Sequence, residues 1–254
     1  MVAPSRRAGR LVRRVGVVAA ALVVGTLGLL VVEVLLARRG PDLEDREPLD
    51  LDGLVGAGRA GATEPVVWLG DSTAAGVGAS SAEGSLPRQV AAAADHPVRL
   101  TVLAESGARV GDVLDDQVGA VPAGTDTVYV SVGANDAVHL TRSGDFRRRY
   151  QAVLDALPPD ARVVLLGVPD LGSPPRLAQP LRFLAGVRGG TLDAVIHDLA
   201  SAGGHPYVDI AGETGPAFRR DPGRLFAADD YHPSDAGYRR WADAVVAAAD
   251  EGDR

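Results

Sequence analysis

The sequence predicts a three-layer α/β/α domain built on a parallel sheet, and three observations carry that expectation. From Pro65 onward, short apolar runs alternate with segments of helical periodicity, and strand–helix alternation produces a parallel sheet wrapped by helices. The apolar runs are continuous rather than alternating with polar residues, the pattern of strands buried on both faces. Polar, glycine-containing motifs directly follow the first three runs, and open sheets of this kind form their sites at the carboxyl ends of the strands.

The strand candidates are Val66-Val67-Trp68-Leu69, Val98 to Leu103, Val128 to Val132, Val163 to Leu166 and the shorter Tyr207-Val208-Asp209-Ile210. The helix candidates between them are Leu86–Ala94, Val110–Val118, Phe146–Leu157, Leu181–Ala202 and Ser234–Ala249. The pattern contains no internal repeat. These elements assign residues 63–254 to a single globular domain.

Upstream of that domain the chain changes character. Residues 1–14 are basic, with Arg6, Arg7, Arg10, Arg13 and Arg14. Residues 15–37 form an apolar run from Val15, interrupted by Glu33 and resumed to Ala37. At about 1.5 Å per helical residue the run is just long enough to cross a bilayer's hydrocarbon core. Its end, Leu35-Leu36-Ala37-Arg38-Arg39, lacks the small-x-small site of a cleaved signal, so it reads as an uncleaved anchor, with secretion the outcome if it is cleaved. Five arginines before the run and two after it place the N-terminus inside and the main domain outside the cytoplasmic membrane. Residues 38–62, rich in Pro, Gly and acids, read as an extended tether.

Composition narrows the chemistry. The 254 residues are 46% hydrophobic and 23% charged, as in a globular protein, and only 4% aromatic, so the core should be aliphatic. The chain has no cysteine and no lysine. Disulfides, thiolate metal sites, a cysteine nucleophile, Schiff-base chemistry and a P-loop lysine are thereby excluded. Residues 1–39 carry seven arginines against one glutamate, a net +6, whereas residues 40–254 carry 19 arginines against 32 acids, a net −13. An acidic main domain argues against a nucleic-acid partner.

The residues at the strand ends suggest acyl transfer. Ser72, in Gly70-Asp71-Ser72-Thr73-Ala74-Ala75-Gly76, stands on a turn into an expected helix, where its hydroxyl would be presented at the sheet's edge and its N–H would favour developing negative charge. Alone, Ser72 reads equally well as a helix cap. A serine nucleophile needs a base, and the base needs an orienting group. Asp229-Asp230-Tyr231-His232-Pro233 places a carboxylate three residues before an imidazole, a spacing that lets Asp229 fold back onto His232. Asp230 is the competing acid. Gly107 after the second strand can offer an unobstructed N–H, and Asn135 after the third a side-chain amide, both suited to an oxyanion; either alone is ordinary turn chemistry.

With those residues in view, the chain resembles the SGNH (GDSL-like) hydrolases, whose family name gathers Ser, Gly, Asn and His from four blocks. Gly70-Asp71-Ser72 resembles the first block, the stretch around Gly107 the second, Gly133-Ala134-Asn135-Asp136 the third, and Asp229 with His232 the Asp-x-x-His of the last. The resemblance runs in family order from Val66 to Trp241 and does not cover the anchor or tether. It implies a flavodoxin-like fold with a five-stranded parallel sheet. It also implies roles: Ser72 as nucleophile, His232 as general base then acid, Asp229 as the orienting acid, and the Ser72 and Gly107 N–H groups with the Asn135 amide as oxyanion donors. Asp136 is expected to brace its turn. Gly-x-Ser-x-Gly, the α/β-hydrolase elbow, is missing from the sequence.

The expected activity is hydrolysis of carboxylic esters through an acyl-enzyme, on short acyl esters, lysophospholipids or O-acetylated envelope sugars, with no metal or organic cofactor. The competing expectation is a non-catalytic carbohydrate- or lipid-binding module on the same scaffold. His96, His139, His197 and His205 lack metal-ligand spacing, although His139, a few residues past the third strand's motif, could border the pocket. Gly76-Val77-Gly78 is a poor dinucleotide fingerprint, Arg147-Arg148-Arg149 reads as a solvated helix face, and Asp170 carries no assigned role.

Overall fold

A computed structural model describes residues 47–252 continuously, preceded by Gly16, Gly25, residues 28–30 and 32–35, and Leu43. The expected anchor, 15–37, therefore falls largely outside the described residues. Among those described, no helix is long and apolar enough to cross a membrane.

Six strands form one sheet: β1 (Gly53–Val55), β2 (Glu64–Gly70), β3 (Val98–Val102), β4 (Thr127–Ser131), β5 (Arg162–Leu166) and β6 (Tyr207–Val208). The helices are α1 (Leu86–Ala93), α2 (Ala134–Val138), α3 (Ser143–Ala156), α4 (Leu181–Gly203), α5 (Ile210–Arg220), α6 (Pro222–Leu225) and α7 (Asp235–Gly252), with shorter helical turns between them. The strand order is β1-β3-β2-β4-β5-β6. From β3 to β6 every pairing is parallel, which is the flavodoxin-like order with its switch point between β2 and β4.

Successive side chains of a strand point to opposite faces, so the continuous apolar runs feed two cores. On one face Val67, Leu69, Val128 and Val130 pack against Phe146 and Tyr150 of α3 and Leu192 and Ile196 of α4. On the other, Val66, Trp68 and Leu100 pack against Leu86 of α1, Phe218 of α5, and Tyr238 and Trp241 of α7. Trp68 and Tyr129, paired across β2 and β4, stack with ring centroids 4.5 Å apart.

The expected five-stranded parallel sheet is corrected to a six-stranded mixed one. The added strand, β1, lies within the segment read as a tether and pairs antiparallel with β3. An uncovered β3 would leave a row of unpaired backbone groups at the sheet edge. Three residues are too few to show strand periodicity, and the neighbouring sequence is rich in turn formers. Asp52 Oδ1 also accepts the Val102 N–H at 2.8 Å. Arg59 reaches the Ala91 and Ala92 carbonyls at the end of α1, satisfying acceptors that a helix terminus leaves open.

Two further expectations differ. The single helix over Val110–Val118 is instead an α-helical turn (Val110–Asp112), a π-helical turn (Val113–Gln117) and a 3₁₀ turn (Val118–Ala120). α2, α5 and α6 carry no clear helical pattern in the sequence, because α2 and α6 are a turn or so long and α5 contains Gly212, Gly215 and Pro216.

Candidate active site

Ser72 lies two residues beyond β2, at the β2/β4 switch point. No helix follows it, contrary to expectation. Residues 71–78 form turns, with Ala75 N–H donating to Asp71 O at 2.9 Å and Val77 N–H to Ser72 O at 2.9 Å. Gly76 and Gly78 carry φ of 78° and 96°, values that end a right-handed helix. The Ser72 N–H has no hydrogen-bond acceptor among the described residues.

The entry into this turn is held by residues that no sequence motif singles out. Gln117 donates from Nε2 to Gly70 O (2.9 Å) and accepts Gly70 N–H at Oε1 (2.8 Å), completing the backbone pairing where β2 ends. The π-helical turn delivers this side chain, and such turns recur at functional sites. Asp71 N–H donates to Ser131 O of β4. At Gly70, φ is 147° and a Cβ would lie 2.0 Å from Ser131 O, so only glycine fits.

His232 and Asp229 come from the loop before α7. His232 Nε2 lies 3.0 Å from Ser72 Oγ, and His232 Nδ1 lies 2.6 Å from Asp229 Oδ2. Asp229 Oδ1 accepts the Tyr231 and His232 backbone N–H groups, each at 3.0 Å. All three side chains are buried. Burial pushes the Asp229 carboxyl up, but the His232 and Tyr231 donors outweigh it and hold it below its ordinary value. Asp230, the competing acid, is exposed with φ 56°.

Two segments far apart in sequence are fastened together around this group. Tyr238 OH donates to Val77 O at 2.5 Å. Asp235 accepts the Ser80 N–H at 2.7 Å and the Ser80 hydroxyl, and Gln89 Nε2 donates to Asp235 O. A Cβ on Gly78 would meet Pro233 O at 2.4 Å and His232 Cβ at 3.0 Å, so this glycine permits the close approach of the two loops.

Asp71, beside Ser72, is wholly buried. Its Oδ1 accepts the Thr73 N–H and hydroxyl, yet burial dominates and pushes its carboxyl up to about 6. Asp136 accepts the Val110 N–H at 2.8 Å, which ties its turn to the segment after β3. Asn135 Nδ2 donates to Ala108 O at 3.1 Å on that same segment. Gly107 stands exposed on the connecting loop with φ 79°.

A cavity of about 40 Å³ opens against Ser72 and His232. Asn135 borders it together with Leu171, Phe218, Phe226 and Trp241, whereas Gly107 and His139 are not among its lining residues. Asp170 also lines it, paired with Arg219 at 2.7 Å. The apolar wall was not legible from the sequence, because Phe218 and Phe226 flank a helix turn and Trp241 reads simply as a core position of α7. No cluster of His, Cys, Asp and Glu suited to a metal ion occurs among the described residues.

Residues 68–240 match the GDSL-like lipase/acylhydrolase family. The chain belongs to that family. It is 35% identical to a GDSL-like esterase of Mycobacterium tuberculosis over 71% of its own length, and it spans 60% of that relative. With Lipase 1 of Streptomyces coelicolor it shares 30% identity over 72% of this chain and 88% of the other. Among solved structures, phospholipase A1 from Streptomyces albidoflavus superposes with a TM-score of 0.56 at 24% identity, covering 75% of this chain and all of that one. At that identity the likeness shows the shared fold alone.

Proposed function

We propose that this GDSL-like protein is a serine esterase in which Ser72 is the nucleophile, His232 the general base and then acid, and Asp229 the group that orients the imidazole. The observation that carries the reading is the pair of contacts from Ser72 Oγ through the His232 ring to Asp229, 3.0 and 2.6 Å long. Ester hydrolysis is also the activity named for its esterase and lipase relatives.

In the first step His232 Nε2 takes the Ser72 proton as Oγ attacks the acyl carbonyl. Asp229, hydrogen-bonded to Nδ1, holds the tautomer and stabilises the imidazolium. The Ser72 and Gly107 N–H groups and the Asn135 amide are the proposed oxyanion donors. In support, the Ser72 N–H is uncommitted and the Asn135 amide is oriented by Ala108 O. His232 then protonates the departing alcohol, and water deacylates the serine by the reverse sequence.

The cavity, about 40 Å³, has room for about three water-sized groups. That size favours acyl groups of a few carbons over long chains. A fluorophosphonate probe should label wild-type protein and leave Ser72→Ala unlabelled; a non-catalytic binding module would react in neither case. A panel of esters from acetate to palmitate should show turnover concentrated at the short end.

The membrane anchor at 15–37, with an extracytoplasmic domain, belongs to the same proposal. It is supported by the length of the apolar run and the arginine bias before it.

A further inference from the structure

Between residues 47 and 252 only six large hydrophobic side chains are exposed, and five lie on two contacting segments: Val138, Leu140, Phe183, Leu184 and Val187. Val138 ends α2 and Leu140 follows it. Phe183, Leu184 and Val187 occupy one side of the first two turns of α4, by their i, i+1, i+4 spacing. The two segments adjoin, because α2 packs on α4 and Arg188 donates to Thr141 O. Leu140 stands out with 73% of its surface exposed and Phe183 with 64%. Contiguous exposed apolar surface of this kind marks an interaction site rather than ordinary surface composition.

Two observations indicate what covers it. Leu140 also borders a cleft that holds Arg109, Arg142, Arg148 and Arg149 with Asp112, Asp136 and Asp145. Arg109 pairs with Asp112 and Arg148 with Asp145, and Asp136 is committed to the Val110 N–H. Arg142 and Arg149 form no ion pair among the described residues, so the edge of the apolar face carries net positive charge on an otherwise acidic domain. Glu33, near the end of the apolar N-terminal run, accepts the Leu181 N–H at 2.9 Å at the head of α4. That bond places Glu33 at the head of the helix that carries Phe183, Leu184 and Val187.

Apolar side chains edged by arginines suit an anionic bilayer surface. We propose that the face of Val138, Leu140, Phe183, Leu184 and Val187, with Arg142 and Arg149 at its margin, docks onto anionic lipid headgroups and the underlying acyl layer. Docking there brings the Ser72 cavity to the membrane surface, because α2 carries Asn135 at the cavity and Val138 on the docking face. The inference extends the esterase reading but does not depend on acyl transfer.

The chain has no cysteine, so single-site labelling is unambiguous. An environment-sensitive fluorophore is placed on Leu140→Cys and, as a control, on Arg240→Cys in α7 of the opposite layer, both in the full chain. With vesicles of phosphatidylglycerol the Leu140 label should shift to the blue and the Arg240 label should not. With phosphatidylcholine vesicles, or with Arg142→Glu and Arg149→Glu together, the Leu140 shift should shrink. The same response in a Ser72→Ala background separates docking from catalysis. In parallel, Leu140→Ser with Phe183→Ser should lower turnover of a butyrate ester of a bilayer-resident alcohol by at least about tenfold and leave a water-soluble butyrate ester unaffected. The proposal is overturned if the Leu140 label is unchanged by vesicles, or if it is already blue-shifted without them because a second copy or another segment covers the face.

Discussion

Ser72 Oγ and His232 Nε2 lie 3.0 Å apart across 160 residues of sequence. One belongs to the turn that ends β2 and the other to the loop that opens α7. Their contact is maintained by bonds outside the reacting group: Tyr238 to Val77, Asp235 to Ser80 and Gln89 to Asp235. The proposed catalytic contact therefore depends on two loops fastened together.

Replacing Ser72 with alanine removes the proposed attacking atom. Turnover should fall by about 10⁵-fold or more, as in serine hydrolases in which the nucleophile acts as part of a unit. Circular dichroism and the unfolding midpoint should stay close to wild type, since the side chain fills no core position. Residual turnover near the wild-type rate on a purified sample would remove Ser72 from the mechanism.

Asp229→Asn tests the orienting role separately. An amide can still accept the Tyr231 and His232 backbone N–H groups, but toward Nδ1 it can present N–H and so stabilise the wrong imidazole tautomer. The expected loss is about 10³–10⁴-fold in kcat with little change in KM. A loss confined to KM would mean that Asp229 shapes the cavity and does not orient the base.

Asp71 gives a stability prediction with a defined sign. Its folded-state carboxyl is raised from 3.8 to about 6, so the unfolded chain ionises first as pH rises. The stability associated with its protonated form is complete below about pH 4, declines between about 4 and 6, and falls no further above that. The decline amounts to roughly 3 kcal/mol. Asp71→Asn, which keeps an acceptor for Thr73, should lack it. The difference in unfolding free energy between variant and wild type should therefore grow from pH 4 to pH 6 and then level. A flat difference would refute the burial account. Asp229 acts in the opposite direction, since its lowered carboxyl gives stability that is lost only as pH falls below the ordinary carboxylate range.

Gln117→Leu should destabilise the fold by about 1–3 kcal/mol, because the Gly70 N–H would be left buried without a partner, while the Gly70 C=O would keep only the Glu105 N–H at 3.2 Å. Chemical denaturation measures this directly. Gln117→Glu restores an acceptor for the Gly70 N–H but has no donor for its carbonyl, so it should recover only part of the loss.

Gly78→Ala places a methyl group against Pro233 O and His232 Cβ at a φ of 96°. The loop bearing His232 must move away from Ser72, and kcat should drop by more than stability alone explains. Fluorophosphonate labelling should slow in parallel. Unchanged labelling would show that the two loops tolerate separation.

What was legible in the sequence was local. Runs such as Val128 to Val132 reveal strands because a strand buried on both faces must be apolar throughout. The Asp229–His232 pair shows itself through a three-residue spacing, and Gly70-Asp71-Ser72 through its place just after a strand. The short edge strand Gly53–Val55, the missing helix after Ser72 and the π-helical turn before Val118 left no comparable trace. Each is decided by a partner distant in sequence: β3 for the first, the His232 loop packed on Gly78 for the second, and Gly70 for the third.

By itself, then, the sequence determined the alternation of strands and helices, the residues eligible for acyl transfer and the family they resemble. Tertiary structure alone decided that Ser72 meets His232, that Gln117 closes the end of β2, that aromatic rings from α5, the residue after α6 and α7 line the adjoining cavity, and that Leu140 and the exposed apolar side chains of α4 come onto contacting segments. The division has a physical cause. Periodicity and short spacings are set by the geometry of one chain segment, whereas contacts across 47 or 160 residues depend on strand order and on which loops the two helical layers bring to the same edge of the sheet.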